Sequence, residues 1–157
     1  MRVVAGSVRG FNLIVPSGKN TRPTTNRIKE TLFNILQWDI AGCRFLDLFS
    51  GSGGIAIEAL SRGAKEAVMV EKDREAVRCI KQNVQHTKMD DRSRVMPMDV
   101  MQALRRLEQA GQPFDIIFMD IEFDVSSGIE ASKQINAWHP DCQIIYITNY
   151  TNYFTSV

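Results

Sequence analysis

The sequence has little cysteine, little net charge and no long run of apolar residues. Its three cysteines, Cys43, Cys79 and Cys142, lie far apart, without the spacing of a disulfide framework or a zinc site. No segment reaches the roughly 20 apolar residues of a membrane span, and the start lacks a signal-peptide core. These absences predict a cytoplasmic protein with no metal site and no membrane partner. The hydrophobic content of 44% and the length of 157 residues predict one globular domain over residues 1–157.

The near-zero net charge of +1 conceals an uneven distribution along the chain. Residues 1–34 contain six basic residues and one acidic residue, whereas residues 107–157 contain one basic residue and seven acidic residues. A basic amino-terminal segment beside a nearly neutral body favours a polyanion such as a nucleic acid as the partner. A merely solvated surface is the alternative reading of the same arginines.

The first forty residues predict a β-hairpin followed by a helix. Two short apolar segments, 2–5 and 11–16, flank a glycine-containing turn. Either Thr24 or Thr25 can cap the helix that follows. Its buried face is predicted from apolar residues at helical spacing, which are Ile28, Leu32, Ile35 and Leu36.

From residue 44 onward, strand patterns alternate with helix patterns. This alternation predicts an α/β fold with a doubly wound, parallel sheet that binds ligands beyond the carboxyl ends of its strands. Helices are expected near 53–62, after Asp73, at 100–109 and after Ser126 or Ser127. The predicted strands are 44–49, 67–71, 94–96, 114–120 and 143–148.

The end of the first predicted strand, Asp47-Leu-Phe-Ser-Gly51-Ser-Gly53, predicts a tight turn against a ligand. Glycines allow close approach and positive φ, and the helix that follows presents free amides. Glu71, twenty residues beyond Gly51, is placed to accept both hydroxyls of a ribose. Asp99 ends the third strand, where it serves an adenine amino group or caps the next helix.

Asp47 distinguishes between the nucleotide-type ligands that such a turn can bind. A dinucleotide would bring its pyrophosphate to the turn, where a nearby carboxylate repels it. A P-loop is excluded because no Gly-Lys-Ser/Thr follows. S-adenosylmethionine brings an ammonium and a sulfonium instead, which an acid attracts. The residues therefore predict a methyl-donor site.

Several distinctive stretches occur together: Met1-Arg-Val-Val-Ala-Gly6, Thr21-Arg-Pro-Thr-Thr-Asn-Arg27, Glu30-Thr-Leu-Phe-Asn34, Leu46-Asp-Leu-Phe-Ser-Gly-Ser-Gly53, Ile57-Glu-Ala-Leu-Ser-Arg-Gly-Ala64, Val70-Glu-Lys-Asp73 and Phe114-Asp-Ile-Ile-Phe-Met-Asp120. Through them residues 1–120 resemble the bacterial 16S ribosomal RNA guanine-N2 methyltransferase family.

The resemblance implies an S-adenosylmethionine-dependent methyltransferase domain with a donor-binding core at 41–120. It implies a basic hairpin and helix at 1–40 that bind 16S ribosomal RNA or the small-subunit particle. The donor residues it implies are Asp47, Phe49, Gly51, Gly53, Glu71, Lys72 and Asp99. The RNA-binding residues it implies are Arg9, Arg22, Thr24 and Arg27.

The chain departs from that family after the fourth strand. The family has Asp-Pro-Pro-Tyr there, whereas this chain has Asp120-Ile121-Glu122-Phe123. The family motif aligns the weakly nucleophilic amine and stacks on the flipped base. Asp120 can still accept a hydrogen and Phe123 can still stack, so both are the catalytic candidates. Loss of the prolines predicts weakened catalysis, and a non-catalytic domain that binds RNA or the donor is the alternative.

Residues 120–157 resemble the second half of a response-regulator receiver domain, through Asp120, Gly128-Ile-Glu130, Thr148 and Tyr153. This similarity suggests a hybrid chain and, as a third reading, a signalling domain, although the receiver's acidic pair is missing. The expected strand order is 3-2-1-4-5, without the family's last two strands. Strand 143–148 then forms a hydrophobic edge through which the protein is expected to self-associate.

Overall fold

The computed structural model describes residues 1–18, 25–121 and 125–147. Five parallel strands form one sheet in the order β3-β2-β1-β4-β5, which confirms the predicted doubly wound α/β architecture. The strands are β1 Arg44–Leu48, β2 Glu66–Val70, β3 Ser93–Met96, β4 Ile116–Asp120 and β5 Gln143–Ile147. The helices are α1 Asn26–Ile35, α2 Gly54–Ser61, α3 Arg74–His86, α4 Val100–Gln109 and α5 Val125–Trp138, with a 3-10 turn at Asp90–Arg92.

Each strand contributes alternate side chains to two cores, one on either face of the sheet. Phe45 of β1 and Phe118 of β4 belong to the core that includes α1, α2 and α3. Leu48 and Met119, on the other face, belong to the core that includes α4 and α5. Because both faces are covered, the strands are apolar almost throughout, as expected for a parallel sheet.

The amino-terminal segment forms a hairpin-like loop, but not the two full strands that the sequence predicts. Arg2 and Asn12 form an isolated antiparallel bridge. The Val3 N–H donates to the Phe11 carbonyl at 2.9 Å, and the Leu13 N–H donates to the Met1 carbonyl at 2.8 Å. This loop lies against α2 and α3, so the segment is part of the folded body over residues 1–17.

Helix α1 begins as predicted, and it buries part of the predicted face. Thr25 caps it by accepting the Ile28 N–H at 3.3 Å. Lys29 and Phe33 are the residues of the helix that are fully buried, whereas Ile28 is 43% and Ile35 is 73% exposed. The prediction is confirmed for Leu36, which is 2% exposed, and for Leu32, which packs on the same core, and it is wrong for Ile28 and Ile35. Lys29 is buried because it has a buried partner. Its ammonium lies 3.4 Å from a carboxylate oxygen of Glu58.

Among the described residues, no helix combines the length and the apolar character needed to cross a membrane.

Candidate active site

The carboxyl ends of β1, β2, β3 and β4 lie side by side along one edge of the sheet. Leu48 pairs with Val70 on one side and with Met119 on the other. Val70 pairs in turn with Met96. The residues that follow these positions, including Glu71 and Asp120, therefore project from the same edge, as the sequence predicts.

The turn after β1 has an unusual backbone conformation. Phe49 has a φ of 60°, Gly51 of 58° and Gly53 of 80°. A positive φ is strained for a bulky aromatic residue, and such strain concentrates at binding sites. The Ser50 N–H, which donates to the Val70 carbonyl at 2.9 Å, ties the strained turn to β2.

The two glycines of the turn have different roles. A Cβ at Gly51 would meet no described atom within 4 Å, so open space lies above this backbone. A Cβ at Gly53 would come within 3.1 Å of the Met69 sulfur, so that side of the turn is packed on the core. Gly53 also precedes the first turn of α2, whose amides face the same edge of the sheet. Gly51 thus borders open space, and Gly53 allows the close packing that holds the turn.

Glu71 connects the glycine turn to the start of α3. One of its carboxylate oxygens accepts the Gly51 N–H at 2.8 Å, and the other accepts the Asp73 N–H at 2.9 Å. Asp73 itself caps α3 by accepting the Ala76 N–H at 2.8 Å. Each carboxylate oxygen has a second lone pair, so Glu71 keeps acceptors for ligand hydroxyls. Lys72, beside it, is exposed.

Asp47 is a buried carboxyl at the centre of the edge, with 1% of its surface exposed. The Ser50 hydroxyl donates to it at 2.7 Å. Burial is the main cause that raises the pKa of Asp47 to about 7, the Ser50 hydrogen bond opposes the rise, and the negative charges of Glu71 and Asp120 add to it. Three carboxyl groups therefore gather at the ends of β1, β2 and β4, where a cation would be stabilised.

Asp99 lies at the start of α4 and is exposed. Its side chain caps the helix by accepting the Met101 N–H at 2.9 Å. The N-cap role that the sequence offered as one alternative is therefore present, and it is compatible with a further contact from the carboxylate to a ligand.

The backbone after β4 serves packing. The Ile121 N–H donates to the Ile147 carbonyl at 3.0 Å, and this bond belongs to the Asp120–Ile147 pair that ends the described pairing of β4 with β5. The Ile121 side chain is 2% exposed, and a Cβ at Gly128 of α5 would collide with it. Asp120 is half-buried at the end of β4. Phe123, the other catalytic candidate, lies outside the described residues.

The predicted RNA-binding residues are described only in part. Arg9 lies at the tip of the amino-terminal loop and Arg27 in the first turn of α1, and both are exposed. Arg22 and Thr24 lie outside the described residues. The described part of the chain therefore presents two of the four predicted contact residues to solvent.

Two buried polar residues at this site were not anticipated from the sequence. Glu58 of α2 and Asn83 of α3 are both fully buried and bond to the amino-terminal loop. A signal for Asn83 exists, because it shares the inward helical face of Val77, Ile80 and Val84. A signal for Glu58 is its place within an otherwise apolar helix. A polar residue on a buried helix face needs a partner, which neither pattern identifies.

Comparison with known proteins gives a consistent relationship. The model of the family described as conserved hypothetical protein 95 matches residues 1–148. Ribosomal RNA small subunit methyltransferase D of Escherichia coli is 36% identical over 149 residues, which are 94% of this chain and 73% of that protein. The Bacillus subtilis protein YlbH is 39% identical over 120 residues, 76% of this chain and 65% of its own length. This chain therefore spans about two thirds to three quarters of these relatives.

Solved structures agree with the sequence relationship. A hypothetical protein of Thermus thermophilus superposes with a TM-score of 0.76 at 32% identity, covering 94% of this chain and 84% of that one. The Escherichia coli protein yhhF superposes with a TM-score of 0.74 at 31% identity, covering 92% and 75%.

The same matches correct the interpretation of residues 120–157. The family match extends past residue 120 to residue 148, through α5 and β5. The resemblance of this segment to a receiver domain finds no support in the comparisons.

Proposed function

This chain belongs to the family described as conserved hypothetical protein 95, and we propose that it transfers a methyl group from S-adenosylmethionine to the exocyclic N2 amine of a guanine in 16S ribosomal RNA. The observation that carries the proposal is the group of Asp47, Gly51 and Glu71 around one open turn. The relatives named ribosomal RNA small subunit methyltransferase D support the choice of substrate class.

The residues at the edge of the sheet fit S-adenosylmethionine. The open space above Gly51 admits a ligand, and the carboxyl of Asp47 is buried without a cation of its own among the described ion pairs. Glu71 is held at both oxygens in an orientation that leaves lone pairs for ribose hydroxyls. Phe49, Gly53, Lys72 and Asp99 complete the proposed donor site.

S-adenosylmethionine supplies an electrophilic methyl group on a sulfonium. The chain's own contribution is to hold charge and to orient the acceptor. Ionised Asp47 stabilises the ammonium group of the donor. The N–H groups at the start of α2 stabilise the carboxylate of the donor. Asp120, at the end of β4 beside β1, would accept a hydrogen bond from the target amine, which aligns the nitrogen lone pair with the methyl carbon, and would take the proton that the amine loses when it is methylated. Phe123 is proposed to stack on the flipped base.

Asp120 is followed by Ile121 and not by a proline. We therefore expect this chain to align the target amine less effectively than the family does. Two consecutive prolines would fix the backbone after Asp120, because each restricts φ and the residue before it. Here this backbone is fixed by the Ile121–Ile147 hydrogen bond, which commits it to the sheet. The same observation favours a second candidate function, a domain that binds the donor and RNA without transferring the methyl group.

The basic amino-terminal segment is proposed to bind the phosphates of the RNA or of the small-subunit particle. Arg9, Arg22, Thr24 and Arg27 are the proposed contacts, of which Arg9 and Arg27 are exposed. Their attraction to RNA is electrostatic and is expected to weaken with salt.

Self-association through the strand at 143–148 is proposed as well, with a second copy as the partner. Over the described residues β5 pairs with β4 and forms one edge of the sheet. A groove of about 470 Å³ lies between this edge and α1, lined mainly by apolar residues such as Ile28, Ile35 and Ile145. Two identical edges can pair in antiparallel fashion about a two-fold axis. Sedimentation velocity of wild type and of Ile145→Lys tests this: a dimer that the lysine abolishes supports it, and a monomeric wild type refutes it.

The experiment for the proposed function has two stages. Isothermal titration with S-adenosylmethionine measures donor binding, and a labelled methyl donor with unmodified 16S ribosomal RNA or small-subunit particles measures transfer, with nucleoside mass spectrometry identifying the product. N2-methylguanosine supports the proposal. Donor binding without product supports the second candidate. Absence of donor binding at millimolar concentration refutes both donor-dependent functions.

A further inference from the structure

The amino-terminal loop is attached to the helices beside the donor site by buried hydrogen bonds. The two carboxylate oxygens of Glu58 accept the Val4 N–H at 2.9 Å and the Ala5 N–H at 3.0 Å. The Ser61 hydroxyl donates to the Ala5 carbonyl at 2.6 Å and accepts the Val8 N–H at 3.1 Å. These contacts fix the first half of the loop on α2.

A different residue fixes the second half. Asn83 of α3 is fully buried, and its side-chain oxygen accepts the Ile14 N–H at 2.7 Å. Its amide nitrogen donates to the Ile14 carbonyl at 2.8 Å and to the Ser52 carbonyl at 2.9 Å. Asn83 thus uses both of its amide protons and its oxygen, and it joins two chain segments that are far apart in sequence.

Both segments border the proposed donor site. Ser52 lies between Gly51 and Gly53 in the strained turn, so its carbonyl orientation is linked to the conformation that faces the donor. Beyond Ile14 the chain reaches Ser17, whose N–H and hydroxyl both donate to one Glu75 oxygen, at 2.9 Å and 2.6 Å. Glu75 is in the first turn of α3, four residues after Glu71. Residues 14–17 therefore run alongside the ribose-binding end of the site.

We propose that Asn83 is a positioning residue that holds the glycine turn and the basic amino-terminal segment in one fixed relationship, so that donor binding and the conformation of residues 14–17 are coupled. The inference rests on the proposed donor site. Coupling follows because a ligand that tightens the turn also orders the Ser52 carbonyl, which shares the Asn83 amide with Ile14. Glu58 and Ser61 hold the same loop without touching the turn, and they are not expected to transmit this effect.

The test compares a substitution in α3 with one at Thr87, the residue that caps the carboxyl end of this helix. Asn83→Asp keeps the size and one acceptor, but it places an oxygen against the carbonyls of Ile14 and Ser52. Thr87→Val, the control, removes a buried hydroxyl that bonds only within the same helix, to the Asn83 and Val84 carbonyls. Donor dissociation constants are measured by isothermal titration at a temperature at which all variants are folded. We expect about a tenfold increase for Asn83→Asp and less than about a twofold change for Thr87→Val.

Hydrogen exchange distinguishes a loss of coupling from a general loss of stability. In the wild type, saturating S-adenosylmethionine is expected to slow exchange of the Ser17 amide, and in Asn83→Asp this donor-dependent protection is expected to disappear. Thr87→Val and Ser61→Ala should retain it. Because the wild-type measurement stands by itself, an unfolded Asn83→Asp protein does not remove the test.

The outcomes separate the two proposals. If the wild type binds the donor but its amides at residues 14–17 are not protected, the coupling role of Asn83 is wrong while the donor site stands. The same holds if Asn83→Asp and Thr87→Val weaken donor binding equally. If the wild type does not bind the donor, both are wrong.

Discussion

The carboxyl ends of β1 and β2 differ from that of β4 in the side chains that follow the strand. After β1 and β2, the N–H groups of Ser50 and Glu71 also donate to neighbouring strands. Their side chains are polar, because Glu71 accepts the Gly51 and Asp73 N–H groups and the Ser50 hydroxyl donates to Asp47. After β4, the backbone of Ile121 pairs with β5, and its side chain fills the core. The first arrangement leaves carboxylate acceptors and open space for a ligand. The second places a buried apolar side chain at the same edge and adds no such acceptor, so the two arrangements are suited to different roles in the proposed site.

The largest effect is expected from breaking the first arrangement. Glu71→Ala removes the acceptor of two turn amides and of the proposed ribose hydroxyls. Charged hydrogen bonds contribute roughly 1.5–3 kcal/mol each, so donor affinity should fall by about two to three orders of magnitude. Isothermal titration measures it. Glu66→Ala is the control, because Glu66 lies at the other end of the same strand in an exposed pair with Arg44. Equal losses in both variants would contradict a donor role for Glu71.

The next effect tests the second arrangement. Ile121→Pro restores one family residue, but it removes the hydrogen bond to Ile147 and a buried side chain. We expect the free energy of unfolding to fall by about 3 kcal/mol. Urea denaturation measures it, with Ile121→Val as the control at a cost of about 1 kcal/mol. If the proline variant is as stable as wild type and gains methyl transfer, the backbone after β4 is an adaptable loop and the comparison fails.

A smaller effect is expected from pH. In the proposed site Asp47 binds the ammonium group of the donor in its ionised form. Burial and the charges of Glu71 and Asp120 raise the pKa of Asp47 to about 7. Donor affinity should therefore rise about tenfold between about pH 6 and pH 8, and the rise should be absent in Asp47→Asn. Isothermal titration at a series of pH values checks this.

The stability of the donor-free protein should change in the opposite direction. The pKa of Asp47 is raised from 3.8, so between about pH 4 and pH 7 the folded state binds more protons than the unfolded state. The contribution of Asp47 to stability is then largest at the acidic end of this window and is lost as pH rises through it. A wild type whose pH dependence of unfolding matches that of Asp47→Asn would contradict the raised pKa.

The smallest effect is expected from the basic amino-terminal segment, which is proposed to bind the RNA. Arg27→Ala should weaken RNA binding a few-fold and reduce the slope of log affinity against log salt by roughly 0.7–0.9, as for one lost phosphate contact. Arg105→Ala on α4, across the sheet, is the matched control. Fluorescence anisotropy over a salt series measures both, and identical slopes for all three proteins would remove Arg27 from the interface.

The sequence predicted the sheet and the strand-end carboxylates well, because both depend on local patterns. Alternating strands and helices dictate a doubly wound sheet, and the glycine turn marks where β1 ends. The face of α1 was predicted only in part, because the burial of Lys29 depends on Glu58, which is 29 residues away. The role of Asn83 was missed for the same reason: its partners lie 69 and 31 residues away, at Ile14 and Ser52. Long-range polar pairs leave no local periodicity.

The amino-terminal loop is far in sequence from Glu58 and Asn83, which hold it, and this separation has a consequence for synthesis of the protein. Val4 and Ala5 are made before their partner Glu58, which follows 54 and 53 residues later, and Ile14 is made before Asn83, which follows 69 residues later. At roughly 5–20 residues per second, the last of these partners is added roughly 3–14 s after Ile14. During this interval the basic segment lacks the Asn83 anchor, so nascent chains arrested before Asn83 has emerged should be cleaved within residues 1–17 by a protease that the finished protein resists.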